Sequence, residues 1–301
     1  MLFSEAIFIG GPTASKKTEL AFKIQSAIPS YIVNADSMQV YDKLKILTNR
    51  PNLNLLKKHD SNLFSFVNYP KKCNVGFWQK ECLSLMKNKK DKIPIFVGGT
   101  GLYIDSLINN ISQIPAISKN VKKITTYYFK KKGKAYLYEK LKNYDKEISK
   151  KISPNDTQRI IRAIQVRLST GKKLSEWHAE SKEKIFKKFI YIVIKTDRDV
   201  LFKRVNNRCA QMIKTGVLEE IELFQKKKLK VEHPLHKSIG LEALSNYIKG
   251  ICSIDDALAN FSLDTRRYAK RQLTWFNNKA RSATHLEYSK VKEYILKNLK
   301  L

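Results

Sequence analysis

Residues 10–18 read Gly-Gly-Pro-Thr-Ala-Ser-Lys-Lys-Thr, a run of small, turn-forming residues that ends in two cations and a hydroxyl. An apolar run at 6–9 precedes it and a helix-forming run at 19–24 follows it. A strand, a tight turn, Lys-Thr and a helix form the layout of a phosphate-binding loop (P-loop), whose backbone N–H groups face a phosphate. The layout predicts that Lys17 reaches phosphate oxygens and that the Thr18 hydroxyl contacts a bound Mg²⁺.

Lys16 stands where the P-loop pattern has a glycine, directly before the lysine. Glycine suits that position because the loop backbone needs a positive φ and a close approach to phosphate. A side chain in the left-handed conformation costs about 1–2 kcal/mol, which weakens such a site without forbidding it. The alternative interpretation of the stretch is a chance turn rich in small residues.

Two more turns follow predicted strands and contain residues suited to catalysis or ligand binding. Residues 34–41 read Asn-Ala-Asp-Ser-Met-Gln-Val-Tyr, and residues 97–103 read Val-Gly-Gly-Thr-Gly-Leu-Tyr. Asp36 at a strand end in a phosphate crevice is suited to bind Mg²⁺ or to act as a base, and a helix N-cap is the evenly balanced alternative. The glycines at 98–101 allow a ligand to approach the backbone, although an ordinary strand-to-helix turn has the same composition.

Cations occur at helical spacing in two later segments. Arg204 and Arg208 fall on one face of a predicted helix, and an arginine fork suits a diphosphate. Residues 265–276 interleave Arg and Lys with Tyr, Trp and Phe, a mixture suited to nucleic acid. A solvated helix face is the alternative for the arginine pair. An amphipathic helix docked on the core is the alternative for residues 265–276.

Short β-branched and aromatic runs at 6–10, 31–34, 93–97 and 189–195 predict the strands of a buried parallel sheet. Ligands of such sheets bind beyond the carboxyl ends of the strands, where the three turns above converge. The sequence thus predicts an α/β fold: a P-loop parallel-sheet core with helices on both faces and an inserted helical domain. Later helices are predicted at 197–213, 216–228, 236–249 and 254–276.

Residues 116–188 interrupt the strand–helix alternation and are predicted to form the inserted domain, with residues 1–115 and 189–301 as the catalytic core. A helix is predicted at 155–169, with Asn155 or Asp156 as its cap and Thr170-Gly171 as its end. The stretch 116–190 carries 21 Lys or Arg and 7 Asp or Glu. This concentration of positive charge predicts an RNA or DNA contact surface.

The overall composition indicates a globular protein with a polyanionic partner. The chain has 301 residues, 43% hydrophobic residues and a formal net charge of +31. It has no apolar run long enough to cross a membrane and nothing that resembles a signal peptide. Its four cysteines form no CxxC pair, so we expect reduced thiols in the cytoplasm and no structural zinc.

Taken in order, these segments resemble the tRNA dimethylallyltransferases, also called isopentenyl-adenosine tRNA transferases. The motifs that carry the resemblance extend over nearly the whole chain. They are Gly11-Pro12-Thr13-Ala14-Ser15, Asn34-Ala35-Asp36-Ser37-Met38-Gln39-Val40-Tyr41, Gly98-Gly99-Thr100-Gly101-Leu102-Tyr103, Pro154-Asn155-Asp156-Thr157-Gln158-Arg159-Ile160-Ile161-Arg162-Ala163 and Tyr268-Ala269-Lys270-Arg271-Gln272-Leu273-Thr274-Trp275-Phe276.

The resemblance implies transfer of a dimethylallyl group from its diphosphate to N6 of the adenosine just 3′ of the anticodon (position 37), in tRNAs that read codons beginning with U. It implies that Asp36 is the general base, that Thr100 lines the channel, and that Lys17, Arg208 and Mg²⁺ on Thr18 stabilise the leaving diphosphate. The implied diphosphate-binding residues are Gly11, Pro12, Thr13, Ala14, Ser15, Lys16, Lys17 and Thr18. The implied tRNA-binding residues are Asp36, Ser37, Met38, Gln39, Thr100, Gln158, Arg159, Ile160, Ile161 and Arg162. A monomer that binds the anticodon stem-loop is expected.

Two other functions stay open on the sequence. One is a P-loop phosphotransferase or nucleotide hydrolase, although a second strand ending in Asp for Mg²⁺ is not evident. The other is a tRNA-binding protein whose catalysis is impaired by Lys16.

Overall fold

The protein is described from a computed structural model that covers residues 2–112, 114–180, 183–227 and 232–299. The chain divides into two compact units. The larger unit runs to Asn109 and resumes at Lys184, and the inserted unit is Asn110–Glu183.

The larger unit is built on a six-stranded sheet in which every pairing is parallel. The strands are β1 (Phe3–Gly10), β2 (Ser30–Asn34), β3 (Ser61–Asn62), β4 (Ile93–Gly98), β5 (Phe186–Lys195) and β6 (Thr284–Glu287). Their order across the sheet is β3-β2-β4-β1-β5-β6, so β1 lies between β4 and β5. The four predicted strands are β1, β2, β4 and β5, which confirms the parallel α/β prediction.

Helices connect these strands and extend the chain beyond them. They are α1 (Lys17–Gln25), α2 (Leu53–Lys58), α3 (Val75–Asn88), α4 (Gly101–Ile108), α5 (Lys119–Tyr144), α6 (Lys146–Ser149), α7 (Thr157–Thr170), α8 (Leu174–Ala179), α9 (Arg198–Lys214), α10 (Val217–Lys226), α11 (Leu241–Ile248), α12 (Ile254–Lys279) and α13 (Tyr288–Asn298). Within the described residues, no helix combines the length and apolar character needed to cross a membrane.

Side chains alternate between the two faces of the sheet along each strand, and helices cover both faces. Ile7 and Ile9 of β1 are fully buried on one face, in a cluster with Leu20 of α1. Phe8 points to the other face, where its ring stacks on Phe96 of β4 at 4.9 Å between centroids. The predicted placement of helices on both faces is therefore confirmed.

The inserted unit is helical and has its own core. Asp156 caps α7 by accepting a hydrogen bond from the Arg159 backbone, and Gly171 ends α7 with φ 69°. These are the start and the end predicted for this helix. Leu141 and Ile160 are fully buried where α5 packs on α7.

The inserted unit lies at 110–183, whereas the sequence placed the insertion at 116–188. The difference at the second boundary has a local cause. Lys187 and Lys188 project from β5 as exposed residues, so the start of this strand has the Lys-rich composition of the insertion.

The single helix predicted at 236–249 is wrong. A short 3₁₀ turn at Pro234–Lys237 comes first, and α11 begins only at Leu241. The chain breaks between them because Gly240 adopts φ 85°, and the ring of Phe261 lies against it. The predicted helix at 216–228 is α10, and the last predicted residue lies outside the described residues.

We expect Gly98→Ala to reduce the free energy of unfolding. A Cβ at Gly98 would lie 2.0 Å from the Ala35 carbonyl oxygen, which is backbone and cannot swing aside. The overpacking should cost at least about 1–3 kcal/mol in urea unfolding. Gly250→Ala is the control, since it meets no atom within 4 Å and adds only left-handed strain. An equal or smaller loss in Gly98→Ala would contradict the steric argument.

Candidate active site

A cavity of about 510 Å³ opens at the carboxyl ends of β1, β2 and β4. Its lining includes more cations than carboxylates. The cations are Lys16, Lys17, Arg208, Lys237 and Arg271, and the carboxylates are Glu19 and Asp36. This excess of positive charge suits an anionic ligand.

The loop between β1 and α1 has the backbone conformation that its sequence predicted. Lys16 adopts φ 63° and ψ 19°, the left-handed conformation for which the P-loop pattern uses glycine, and Ala14 also has φ 63°. The backbone N–H groups of the first turn of α1 have no intrahelical partner, and no side chain caps the helix. The start of α1 is therefore open to an anion.

The predicted diphosphate residues divide into two groups. Thr13, Ala14, Lys16, Lys17 and Thr18 line the cavity, whereas Gly11, Pro12 and Ser15 are buried behind it. The buried Ser15 hydroxyl has no hydrogen-bond partner among the described residues.

Lys17 is a partly buried cation that is hydrogen-bonded to a neutral oxygen. Its Nζ donates to the Pro12 carbonyl oxygen at 2.8 Å. Burial lowers the pKa of Lys17 to about 8, Asp36 opposes this shift, and Arg208 adds to it. The ammonium is therefore poorly compensated by the protein, and an anion in the cavity would stabilise its charged form.

Arg208 reaches the same loop from α9. Its Nη1 donates to Thr13 Oγ1 at 2.8 Å, and burial lowers its pKa. Arg208 lines the cavity and Arg204 does not. Of the two arginines with helical spacing, the structure thus brings only Arg208 to the loop.

Asp36 is held at the cavity by the backbone around it. The Ala35 N–H donates to Val97 O at 2.8 Å, and the Thr100 N–H donates to Ala35 O at 3.1 Å. Asp36 Oδ1 accepts hydrogen bonds from the N–H groups of Met38 at 2.9 Å and Gln39 at 3.3 Å. Residues 37–40 form a turn, and the next helix along the chain begins only at Leu53, so these contacts close a turn and are not the helix N-cap that the sequence left open. They use one carboxylate oxygen only. Oδ2 makes no hydrogen bond within the described part of the chain, so it is available to a ligand.

Thr100 contacts the segment after Asp36 and does not itself line the cavity. Its Oγ1 accepts from the Ser37 N–H at 2.9 Å and lies 3.2 Å from Ser37 Oγ. Ser37, Met38 and Gln39 all line the cavity. Gln39 also donates to the carbonyl oxygens of Thr48 and Asn49, which brings that loop to the cavity wall.

Gln272 of α12 is a site residue that the sequence reasoning missed. Its Oε1 accepts from the Thr13 N–H at 2.7 Å, and its Nε2 donates to the Gly99 carbonyl oxygen at 2.9 Å. One buried amide thereby joins the β1–α1 loop to the end of β4. Gln272 stands within the cationic and aromatic run 265–276, where the predictions concerned the charges and rings and not this neutral amide.

The predicted RNA-binding residues of α7 differ in exposure. Gln158, Arg159 and Arg162 are exposed, and Ile161 is partly buried. The Ile160 side chain is fully buried in the core of the inserted unit and is not placed at the surface for RNA contact. The residue packs α7 because it lies on the inner face of that helix.

A parallel α/β sheet whose central strand leads into a helix N-terminus, beside partly buried cations, is typical of proteins that bind phosphorylated ligands. The sequence model of the IPP transferases matches residues 39–279. The chain belongs to the IPP transferase family.

Named relatives cover almost the whole chain. The tRNA dimethylallyltransferase of Pelagibacter ubique is 39% identical over 98% of this chain and 95% of its own length. The enzyme of the same name from Rickettsia felis is 34% identical over 98% and 96% of the two chains.

Solved structures share the fold. The tRNA delta(2)-isopentenylpyrophosphate transferase of Staphylococcus epidermidis superposes with a TM-score of 0.69 and 29% identity over 99% of both chains. A eukaryotic dimethylallyltransferase described as acting on tRNA gives a TM-score of 0.83 at 24% identity, over 95% of this chain and 74% of that one.

We expect Lys16→Gly to increase the free energy of unfolding by about 1 kcal/mol, because glycine removes the left-handed strain. Urea unfolding without ligand measures this gain. Lys16→Ala is the matched control, since it removes the charge but keeps a Cβ at φ 63°. If both variants were stabilised equally, charge repulsion and not backbone strain would be the cause.

Proposed function

We propose that the protein is a tRNA dimethylallyltransferase. It transfers the dimethylallyl group of dimethylallyl diphosphate to N6 of the adenosine at position 37, 3′-adjacent to the anticodon, in tRNAs that read codons beginning with U, and it releases diphosphate. The observation that carries this proposal is that one cavity holds two partly buried cations, Lys17 and Arg208, and the open carboxylate oxygen of Asp36.

The diphosphate of the donor binds at the loop residues Thr13 to Thr18 that line the cavity. The open N-terminus of α1 supplies N–H donors, and Lys17 and Arg208 supply positive charge. Charge builds on the diphosphate as its bond to the allylic carbon breaks, so cations fixed there in advance stabilise the transition state.

Asp36 acts on the acceptor. The N6 amine forms the new C–N bond while the C–O bond to the diphosphate breaks, and the amine must lose one proton. Asp36 Oδ2 takes that proton, and Oδ1 stays bonded to the Met38 and Gln39 N–H groups, which hold the carboxylate in place. Thr100 positions Ser37 beside this carboxylate.

The residues present fit a Mg²⁺ ion that is bound largely through the substrate. Among the described residues, no group of three or more His, Cys, Asp or Glu side chains is placed to hold a metal. The Thr18 hydroxyl lines the cavity and is the protein ligand we assign, with diphosphate oxygens and water completing the shell. When bound, Mg²⁺ would neutralise charge on the departing diphosphate.

The anticodon stem-loop of tRNA is the partner of the inserted unit. Lysines dominate its surface charge, and Gln158, Arg159 and Arg162 are exposed on α7. Such a surface binds RNA by phosphate contacts and shape. The target adenine leaves its stack to reach the cavity, where Ser37, Met38 and Gln39 contact it. We propose a cytoplasmic monomer.

Two features speak against the other candidate functions. The strands on either side of β1 end in Gly98 and Lys195, so neither offers the carboxylate expected of a P-loop phosphotransferase. Lys16 also takes the left-handed backbone for which the P-loop pattern uses glycine, which supports an active enzyme over an impaired one.

The test is label transfer from radiolabelled dimethylallyl diphosphate to an unmodified tRNA transcript with Mg²⁺. We expect incorporation at the adenosine beside the anticodon. Asp36→Asn should lower the rate by about 10²–10⁴-fold, the usual contribution of a general base. The tRNA affinity of Asp36→Asn, measured in parallel, should stay close to that of the parent.

Two further arms separate the alternatives. A phosphotransferase would be stabilised by ATP and not by dimethylallyl diphosphate in thermal unfolding. An enzyme impaired by Lys16 would bind tRNA without transfer, and Lys16→Gly would restore transfer. Either result would overturn the proposal as stated.

A further inference from the structure

Three consecutive aromatic residues of α5 lie on the surface of the inserted unit. Tyr127 is 53% exposed, and Tyr128 and Phe129 are each 37% exposed. Within the described residues, none of the three belongs to the hydrophobic core of this unit or packs against it. Aromatic rings contribute to folding by burial, so their position here calls for a role other than stabilising the fold.

A break in α5 assembles the tyrosines into one surface. Gly133 adopts φ 75° and ψ −178°, a backbone conformation that is essentially restricted to glycine. In a straight helix Tyr128 and Tyr136 would be separated by about 12 Å along the axis. Here their rings stack with centroids 5.9 Å apart, and the Tyr127 ring lies 5.5 Å from that of Tyr128. We call Tyr127, Tyr128 and Tyr136 the tyrosine platform.

Lysines surround the platform without any counter-charge in the same segment. The chain from residue 119 to residue 138 holds seven lysines and no Asp or Glu. Lys131 Nζ lies 5.6 Å from the centre of the Tyr127 ring, and Lys132 Nζ lies 4.7 Å from that of Tyr136. Protein–protein interfaces are depleted in lysine, whereas rings interleaved with cations are the surface that binds unpaired nucleotides.

We propose that Tyr127 and Tyr128 stack on unpaired bases of a bound RNA while the neighbouring lysines neutralise its phosphates. The inference rests on the proposed function in one respect, which is that the RNA is the tRNA substrate. It goes beyond that function by dividing the inserted unit into a stacking part on α5 and a polar part on α7. The stacking part distinguishes looped RNA from fully paired RNA, because only unpaired bases expose a ring face.

The test measures the affinity of the full-length protein for a fluorescein-labelled, unmodified anticodon stem-loop transcript over a range of KCl concentrations. We expect the double variant Tyr127→Ala/Tyr128→Ala to bind at least about five-fold more weakly, with an unchanged dependence of log K on log [KCl]. Lys131→Gln should instead reduce that slope by just under one. Tyr127→Phe/Tyr128→Phe keeps both rings and should retain the parent affinity.

Two controls make the result specific. A fully paired RNA of the same stem should bind the double alanine variant as well as it binds the parent. Leu223→Ala removes another exposed apolar side chain, 61% exposed on α10, and should leave RNA affinity unchanged.

The proposal is overturned if the double alanine variant binds the stem-loop like the parent, or if it loses equal affinity for stem-loop and duplex. It is also overturned if sedimentation shows that the substitutions alter self-association and not RNA binding. Because no prenyl donor is present, these results are independent of transfer. If the parent protein has no transferase activity but the double alanine variant still binds the stem-loop more weakly, the proposed reaction is refuted and the proposed role of the tyrosine platform is not.

Discussion

The site depends on positive charge that is partly buried beyond the end of β1 and has no full negative partner. Lys17 and Arg208 contact the Pro12 carbonyl and the Thr13 hydroxyl, both of which are neutral oxygens. Removing cations from water is costly, and burial lowers the pKa of both groups. An anion in the cavity would offset that cost. The fold thus favours an anionic ligand at this place, where we propose that the diphosphate binds.

Glycines at the end of β4 and directly after it allow other segments of the chain to pack closely around the cavity. A Cβ at Gly98 would strike the Ala35 carbonyl, one at Gly99 the Gln272 amide and one at Gly101 the Trp275 ring, each at about 2 Å. The sequence alone predicts that these glycines either allow a ligand to approach the backbone or belong to an ordinary strand-to-helix turn. In the structure they admit the Asp36 segment and α12 to the same edge of the sheet. The docked-helix interpretation of the C-terminal run therefore holds for Leu273, Trp275 and Phe276.

The parts of the fold that local sequence dictates were predictable. Apolar, β-branched runs predicted four strands. Lys16 stands where the P-loop pattern has a glycine, and this position predicted its left-handed backbone. Gln272 was not predictable because its partner Thr13 is 259 residues away. The helix predicted at 236–249 failed for a related reason, since the turn at Gly240 packs against Phe261 of a later helix. Ile160 was assigned to RNA through a motif match, although an apolar residue on a capped helix is typical of a core.

The most direct test of whether Lys17 binds the diphosphate is a calorimetric titration of dimethylallyl diphosphate into the protein at pH 8, in two buffers with different ionisation enthalpies. Burial lowers the pKa of Lys17 to about 8, below its ordinary value, so some of the Lys17 side chains are neutral at that pH. A bound diphosphate raises this pKa, and binding must then take up protons from the buffer. We predict proton uptake in the parent protein and its loss in Lys17→Met. Binding without proton uptake, or equal uptake in both proteins, would contradict the claim that Lys17 binds the diphosphate.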